Sequence, residues 1–241
     1  MRKKDMSKLY LRVKKDILDM ITEGKFSDNK LPPEDELARE LGVSHTTVRE
    51  ALLVLTKDGV ISKKHGKGSF VHQSALNTRM RIDSILDFIT LLEDGGYETR
   101  LAQSAYGVER ASPEESDSLG VEEGVELFTF ERLFYANDKV AIKALIKIPK
   151  TYMHKLPLDG EVEMTSYAFV WKYCREDLVQ SILEFLPTTA GKREAELFAI
   201  KEGSPMISWR ELFYNIKDVP ISYNQIFFNP DIMKLKMLRK W

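Results

Sequence analysis

The sequence predicts a mixed α/β (α+β) protein of two domains, a helix-rich N-terminal domain and a C-terminal domain built on an antiparallel sheet. Three observations predict this fold class. Positive charge is concentrated in the first third of the chain, helical periodicity followed by a short hairpin occurs in the same third, and strand-like segments repeat in the remainder. The 241 residues are 43% apolar and 30% charged, a composition that supports packed domains and excludes global disorder.

The formal net charge of −1 conceals an uneven distribution. Residues 1–75 carry 15 basic and 11 acidic side chains (+4), whereas residues 76–241 carry 21 and 26 (−5). A positive segment favours a phosphate-binding module, although chance variation between the two parts would give the same counts. The lone Cys174 excludes an internal disulfide or a cysteine metal cluster and indicates a reducing cytoplasm. We expect neither a membrane span nor a secretory signal.

Residues 1–72 are predicted to form three helices. Apolar residues at every fourth position predict the first helix over about residues 7–23. The second begins near Glu34, and the third follows Ser44, which is a good N-cap. Gly42 supplies a tight turn between the last two helices, as in a helix-turn-helix unit.

A hairpin, or wing, is predicted after the third helix from two short β-type runs around a glycine-containing turn. In a winged helix-turn-helix, the N-terminus of the last helix can enter the major groove of DNA. Short hydrogen-bonding side chains, one guanidinium and the wing lysines on this surface suit phosphate and base contacts. The predicted DNA-binding residues are Ser44, His45, Thr46, Thr47, Arg49, Lys64, His65, Gly66, Lys67 and Gly68.

These residues also have structural interpretations. Ser44 and Thr47 can cap the third helix, and Arg49 can be a solvated i,i+4 partner of acids near Glu50. The two histidines can be ordinary surface residues, and the two glycines can belong to a plain turn.

Four segments of residues 8–72 resemble the DNA-binding domain of GntR-type bacterial transcription regulators. They are 31–38 (LPPEDELA), 42–52 (GVSHTTVREAL), 59–61 (GVI) and 66–71 (GKGSFV). Asp35 and His45 depart from the pattern, because the family usually has arginines there that approach DNA. The resemblance therefore implies a changed operator sequence or weaker binding, with Arg49, Thr46, Thr47 and the wing carrying more of the contact.

The C-terminal part contains an internal repeat with an offset of 79 residues. Residues 123–135 (EGVELFTFERLFY) match 202–214 (EGSPMISWRELFY), and 140–142 (VAI) match 219–221 (VPI). Each copy predicts a short helix, a glycine turn, a strand, a hairpin and a second strand, which together suggest a pseudo-symmetric domain with one antiparallel sheet. The predicted helices are 113–119, 166–176 and 192–199, and a further strand is predicted over 179–186.

No catalytic or metal-binding motif is found in this part of the sequence. Three arginines, Arg100, Arg132 and Arg210, lie within or beside predicted strands, where an unpaired charge is costly. They can form ion pairs such as Glu131–Arg210 or Arg132–Glu211, or they can line an anion-binding pocket. The aromatic residues of the strands are interpreted mainly as core.

Residues 82–233 resemble the UTRA effector-binding domain of HutC-type GntR regulators, which shares its fold with chorismate lyase. The segments that carry the resemblance are 119–124, 131–132, 148–149, 165–167, 219–221 and Asp231. The resemblance implies anion contacts at Arg132 and near Ser104, and hydrogen bonds near Thr165 and Tyr167. The predicted effector-binding residues are Arg100, Ser104, Arg132, Thr165, Tyr167, Arg210 and Tyr223.

Two departures weaken a sugar-phosphate assignment. Ala144 stands where an acidic residue is often found, and Asn229-Pro230-Asp231 replaces the usual Arg-Gly-Asp. The ligand is therefore left open, with an anionic metabolite such as a sugar phosphate as one candidate.

The sequence predicts a DNA-binding domain over 1–72, a linker over 73–83 and an effector-binding and dimerisation domain over 84–241. The expected function is cytoplasmic transcription regulation, with repression as the expected sign. A homodimer would bind double-stranded DNA at a palindromic operator, and a small metabolite would control its affinity. We expect no cofactor, metal or membrane partner. An enzyme with a lyase-like domain and a regulator without ligand control remain as alternatives.

Overall fold

The structure, a computed structural model, describes residues 3–83, 87–157 and 164–240; the side chains of residues 3–8, 27, 103 and 104 are outside this description. The chain divides into two compact units, Met1–Ser84 with Lys236–Trp241, and Ile85–Leu235. Within the described ranges, no helix is long and apolar enough to cross a membrane.

The N-terminal unit contains the three predicted helices and the predicted hairpin. Its elements are α1 (Lys3–Thr22), α2 (Glu34–Leu41), α3 (His45–Lys57), β1 (Ile61–Lys64), β2 (Gly68–Val71) and α4 (Gln73–Leu76). The strands β1 and β2 are antiparallel, with Ile61 opposite Val71. The apolar sides of α1, α2 and α3 pack into one buried core around Ile17, Leu37 and Leu52.

The turn between α2 and α3 follows from its sequence. Gly42 adopts φ +65°, and its N–H donates to the carbonyl groups of the last turn of α2. Such a conformation costs glycine little, because it has no Cβ. The Ser44 side chain then accepts a hydrogen bond from the backbone N–H of Thr47 (3.2 Å), which confirms the predicted N-cap of α3.

The segment predicted as a linker, 73–83, includes α4 and pairs with the C-terminal end of the chain. The backbone N–H of Lys236 donates to the Met80 carbonyl (3.1 Å), and the Ile82 N–H donates to the Lys236 carbonyl (3.0 Å). The last six residues consequently belong to the N-terminal unit, whereas the sequence prediction placed them in the C-terminal domain. Backbone pairing between segments so far apart leaves no local periodicity from which it could be predicted.

The C-terminal unit is a six-stranded antiparallel sheet with short helices, in agreement with the predicted fold class. Its helices are α5 (Phe88–Asp94), α6 (Pro113–Leu119), α7 (Ser166–Cys174) and α8 (Lys192–Phe198). Its strands are β3 (Thr99–Arg110), β4 (Glu126–Ala136), β5 (Lys139–Pro149), β6 (Leu178–Thr189), β7 (Pro205–Asn215) and β8 (Pro220–Phe228). The strand order is β3-β4-β5-β8-β7-β6.

The repeat predicted from the sequence is visible in this topology. Each copy contributes a helix and a hairpin, α6 with β4–β5 and α8 with β7–β8, and the hairpins join where β5 pairs with β8. The first copy opens as predicted, because Ser112 and Glu115 form a reciprocal capping box at the start of α6.

The two faces of the sheet pack against different helices. On one face, Phe130 contacts Phe169 of α7, and Trp209 and Phe228 contact Phe88 of α5; we call it the α7 face. The opposite face packs Leu127 and Tyr223 against Leu119 of α6, and Lys143 on it pairs with Glu194 of α8. We call it the α6 face.

Candidate DNA-binding surface and effector site

The N-terminus of α3 presents a small polar surface. Ser44, His45, Thr46 and Arg49 are exposed, as a helix that contacts DNA requires. Thr47 is different, because it is only 8% exposed and its hydroxyl lies 2.8 Å from the Ser44 hydroxyl. Thr47 therefore serves the helix cap rather than the outer surface, and the predicted DNA contact at this residue is not accessible here.

Arg49 forms an ion pair with an acid of α2 and not the i,i+4 pair within α3 that was its structural alternative, and it stays accessible. Its Nε donates to Glu34 Oε2 at 2.6 Å, and Lys63 Nζ of the wing donates to Glu34 Oε1 at 2.7 Å. Hydrogen bonds from Lys63 and Arg49 lower the pKa of the Glu34 carboxyl. The Arg49 side chain remains 67% exposed. One carboxylate at the start of α2 thus positions a cation of α3 and a cation of the wing.

Asp35 and His45, the two residues of this domain that depart from the family pattern, contact each other. His45 Nδ1 lies 3.0 Å from Asp35 Oδ1, and both side chains are largely exposed. Sequence reasoning identified both residues but not this contact, since they belong to different helices.

The wing carries its predicted residues on the outside. Lys64, His65, Gly66, Lys67 and Gly68 are all exposed, and the Lys67 N–H closes the turn on the Lys64 carbonyl (2.9 Å). Sequence reasoning missed one further cation beside the wing: Lys30 is exposed, pairs with Phe70 of β2 and lies next to Gly68. Its position beside a strand is a tertiary feature that the preceding loop sequence does not reveal.

The structure separates the predicted effector residues between two faces of the sheet. Arg132 pairs in register with Ala144 and shares the α7 face with Phe130. Tyr223 lies on the α6 face, where Arg210 reaches Glu114 of α6. Arg100 lies directly opposite Tyr135 of β4, and its guanidinium stacks on the Tyr135 ring, 3.6 Å from the ring centroid. Tyr135 is three residues from Arg132 along β4. Successive side chains of a strand alternate between faces, so Arg100 also lies away from Arg132. These residues do not form one pocket.

Arg132 is the most deeply buried of the three arginines among the predicted effector residues. It is 3% exposed, its Nη1 donates to Ser166 Oγ at 3.3 Å, and its guanidinium lies 4.9 Å from the Phe130 ring centroid. Burial lowers the pKa of Arg132 to about 10. A cation removed from water in this way gains strongly from an anionic partner.

The residues near the start of α7 are placed close to this arginine. Thr165 is the N-cap of α7, accepting from the Ala168 N–H at 3.2 Å, and it directly precedes Ser166. Tyr167 is exposed and its hydroxyl donates to Asp177 at 3.1 Å. The side chain of Ser104 is outside the described part of the structure.

Arg210 is accounted for by ion pairs. Its guanidinium donates to Glu184 of the neighbouring strand and to Glu114 of α6, and the hydrogen bond to Glu184 raises the pKa of Arg210. The acid proposed from the sequence, Glu131, instead accepts two hydrogen bonds from Arg193 at 3.0 and 2.9 Å. Arg210 therefore ties β6, β7 and α6 together.

Further polar groups share the α7 face with Arg132. Glu211 is the residue that corresponds to Arg132 in the second repeat, and burial raises the pKa of its carboxyl. Asn224 Nδ2 donates to the Glu211 carbonyl at 3.0 Å. Among the described residues, the buried atoms Asn224 Oδ1 and Trp209 Nε1 have no hydrogen-bond partner. Buried polar atoms of this kind suit a bound polar ligand.

Comparison with known families matches both parts of the chain. Residues 9–71 match the model of the bacterial regulatory proteins of the gntR family, and residues 95–234 match the UTRA domain. The chain is 28% identical over 219 residues to the histidine utilization repressor of Pseudomonas aeruginosa, covering 83% of this chain and 78% of the relative. It is 22% identical over 207 residues to the transcriptional repressor NagR of Bacillus subtilis, covering 86% and 84%.

Solved structures show the same fold. The possible transcriptional regulator YydK of Bacillus subtilis superposes with a TM-score of 0.78 at 20% identity, covering 96% of this chain and 99% of that one. PhnF of Mycobacterium smegmatis superposes with a TM-score of 0.60 at 20% identity, covering 95% and 99%. The chain belongs to the GntR family of bacterial transcription regulators, within the HutC-type group that carries a C-terminal UTRA domain.

Proposed function

We propose that this DNA-binding regulator is a cytoplasmic repressor that acts as a homodimer on a palindromic operator and is released by a small anionic metabolite. The observation that carries the proposal is the exposed N-terminus of α3, where Ser44, His45, Thr46 and Arg49 lie beside a lysine-bearing wing. Relatives of similar length are named repressors, which supports the sign of regulation.

The proposed DNA contacts divide into two kinds. Ser44, His45, Thr46 and Arg49 lie where a recognition helix meets base edges and adjacent phosphates. Lys64, Lys67 and the exposed His65 and glycines of the wing suit the phosphate backbone or the minor groove, as does Lys30. Because several cations contribute, the affinity should fall steeply with salt concentration.

The proposed effector site lies on the α7 face around Arg132. A buried guanidinium, the N-terminal turn of α7 and the buried polar atoms of Asn224 and Trp209 form a setting for a ligand with an anionic group. Arg100, Arg210 and Tyr223 are assigned structural roles on the α6 face. The ligand shifts operator affinity only to the extent that it binds the two states of the regulator unequally.

The homodimer is proposed to form along β6. This 12-residue strand pairs with β7 alone among the described strands, and its sequence contains no lysine. Its exposed apolar residues are Val179, Ile182, Leu183 and Phe185. An exposed apolar edge is a template for strand pairing, and a second copy can pair with the part of β6 that precedes Pro187 about a two-fold axis.

The dimer can be tested with one charge. Ile182 is 60% exposed, so Ile182→Lys should fold normally yet shift the protein to monomer in analytical ultracentrifugation. Ile216, which is 77% exposed in the β7–β8 turn, supplies the matched control Ile216→Lys. A dimer that persists in Ile182→Lys at the wild-type dissociation constant would remove β6 from the interface.

The rival function is an enzyme, suggested by the lyase-like fold expected for the second domain. The named relatives are regulators, and function resides in sites rather than folds. We therefore place the protein among non-catalytic regulators. Turnover of a metabolite by the purified protein, abolished by Arg132→Lys, would favour the enzyme instead.

The central experiment is operator binding measured by fluorescence anisotropy on DNA from upstream of the gene. Arg49→Ala should weaken binding at least tenfold, because a charge-assisted contact to DNA is lost. Arg12→Ala is the matched control, since the Arg12 side chain is 79% exposed on α1 and should not alter affinity. Full affinity of Arg49→Ala would contradict the proposed role of α3.

A further inference from the structure

The contact between Asp35 and His45 determines which hydrogen bonds the histidine can offer to DNA. Asp35 Oδ1 lies 3.0 Å from His45 Nδ1, within hydrogen-bond distance. A carboxylate can only accept hydrogen bonds, so Nδ1 must carry the proton that joins the two residues.

The other ring nitrogen is consequently an acceptor. In a neutral imidazole one nitrogen donates and the other accepts, and Asp35 already uses the donor. Nε2 of His45 therefore presents a lone pair, and the Asp35 carboxylate presents its remaining lone pairs beside it. The two side chains, one in the first turn of α2 and one at the start of α3, offer acceptors to an approaching molecule.

Charge indicates which part of DNA this pair can face. The Glu34 carboxylate forms ion pairs with Arg49 and Lys63, whereas the partner of the Asp35 carboxylate is an imidazole, a group that carries no charge in its neutral form. An exposed carboxylate repels phosphates, so Asp35 is better placed against base edges than against the DNA backbone. In the major groove, the hydrogen-bond donors on base edges are the amino groups of adenine (N6) and cytosine (N4).

We propose that Asp35 and His45 act together as a specificity-determining pair that selects adenine or cytosine at one position of each operator half-site. The inference rests on the proposed function, since it requires that α3 enters the major groove. Arginine, the usual residue of the family at both positions, donates hydrogen bonds and suits guanine. The pair therefore changes the base that is read at this position, rather than simply removing two contacts.

The test is selection of bound sequences from a randomised DNA library by the full-length protein at pH 8, where imidazole is ordinarily neutral. Wild type should enrich adenine or cytosine at one symmetric position per half-site. His45→Arg should move the preference at that position to guanine by about 5- to 150-fold, the range of one bidentate base contact. Asp35→Asn should weaken the wild-type preference, because an amide can donate as well as accept and so no longer restricts His45 to one tautomer.

Two further variants separate the possible outcomes. Glu36→Gln removes an exposed acid from the same turn of α2, so it should strengthen binding to all sequences without changing base preference. Arg49→Ala should weaken binding, whereas failure of wild type to select any sequence would overturn the proposed function itself. Guanine enrichment by wild type at the position that His45→Arg alters would overturn the pair's role. An unchanged preference in Asp35→Asn would do the same.

Discussion

Replacing Arg132 by methionine should stabilise the ligand-free protein while removing its response to effector. Methionine has a similar length but no charge, so it can fill the same buried space on the α7 face. Burial lowers the pKa of Arg132 from 12.5 to about 10. This shift corresponds to a cost on the order of 3 kcal/mol for holding the charged group in the folded state. The substitution removes that cost.

The gain is reduced by the interactions that the guanidinium makes. Among these interactions, the hydrogen bond to Ser166 contributes about 1 kcal/mol, and the ring contacts with Phe130 and Phe169 contribute about 0.5 to 1 kcal/mol each. A net stabilisation of at most about 1 kcal/mol remains, which raises the melting temperature by no more than about 2 to 4 °C for a unit of this size. Buried charged groups replaced by apolar residues of similar size often behave in this way.

The assay combines calorimetry with a reporter strain. The melting temperature of the C-terminal transition should rise in Arg132→Met and stay unchanged in Arg12→Met, whose side chain is 79% exposed. In the reporter strain, the regulator with methionine at this position should repress under all growth conditions, because the anion contact is lost. A fall in melting temperature of several degrees would show that Arg132 is a structural residue and would refute this reasoning.

Three other outcomes are expected. Gly59→Ala should lower the free energy of unfolding by about 2–3 kcal/mol and Gly42→Ala by about 1 kcal/mol. Both glycines have positive φ (+72° and +65°), but a Cβ at Gly59 meets the Leu238 side chain, whereas one at Gly42 meets nothing within 4 Å. In urea unfolding, adding Leu238→Ala to Gly59→Ala should therefore recover the difference in unfolding free energy between the two glycine variants. Burial alone would raise the pKa of Glu115, but a hydrogen bond from a buried lysine lowers it overall. The ionised Glu115 therefore stabilises the fold at neutral pH, and this stabilisation is lost as pH falls below 4.5 through the lowered pKa. Glu115→Gln should flatten the plot of melting temperature against pH in that acidic range. Burial raises the pKa of Cys174 to about 12, so iodoacetamide at pH 8 should label the thiol in urea and not in the native protein, and fast native labelling would contradict its burial.

Local patterns were sufficient to predict the helices and hairpin of the N-terminal unit, because capping and periodicity act within a few residues. Ser44 and Ser112 are caps in the structure for the reasons that the sequence suggests. The Asp35–His45 contact and the pairing of Lys236 with residues 80–82 could not be predicted in this way. They join segments whose proximity depends on how complete elements pack.

The burial of Thr47, in contrast, was implicit in the sequence. Thr47 precedes Ala51 and Leu55 by four and eight residues, so it belongs to the side of α3 that packs into the core. The same helical spacing places His45 and Arg49 on the outer side, where both are found. Periodicity within one helix thus separates residues available to DNA from those that only resemble them in chemistry.

The separation of the three arginines follows from the repeat in the same manner. An offset of 79 aligns Arg132 with Glu211 and Glu131 with Arg210. Neighbouring residues of a strand point to opposite faces, so equivalent strands of the two copies must place Arg132 and Arg210 on opposite sides of the sheet. The structure has this arrangement, with Arg132 and Glu211 on the α7 face and Arg210 paired with Glu114 of α6. The two copies of the repeat therefore form one sheet with two chemically different faces, and we place the ligand on the face where Arg132 of the first copy corresponds to Glu211 of the second.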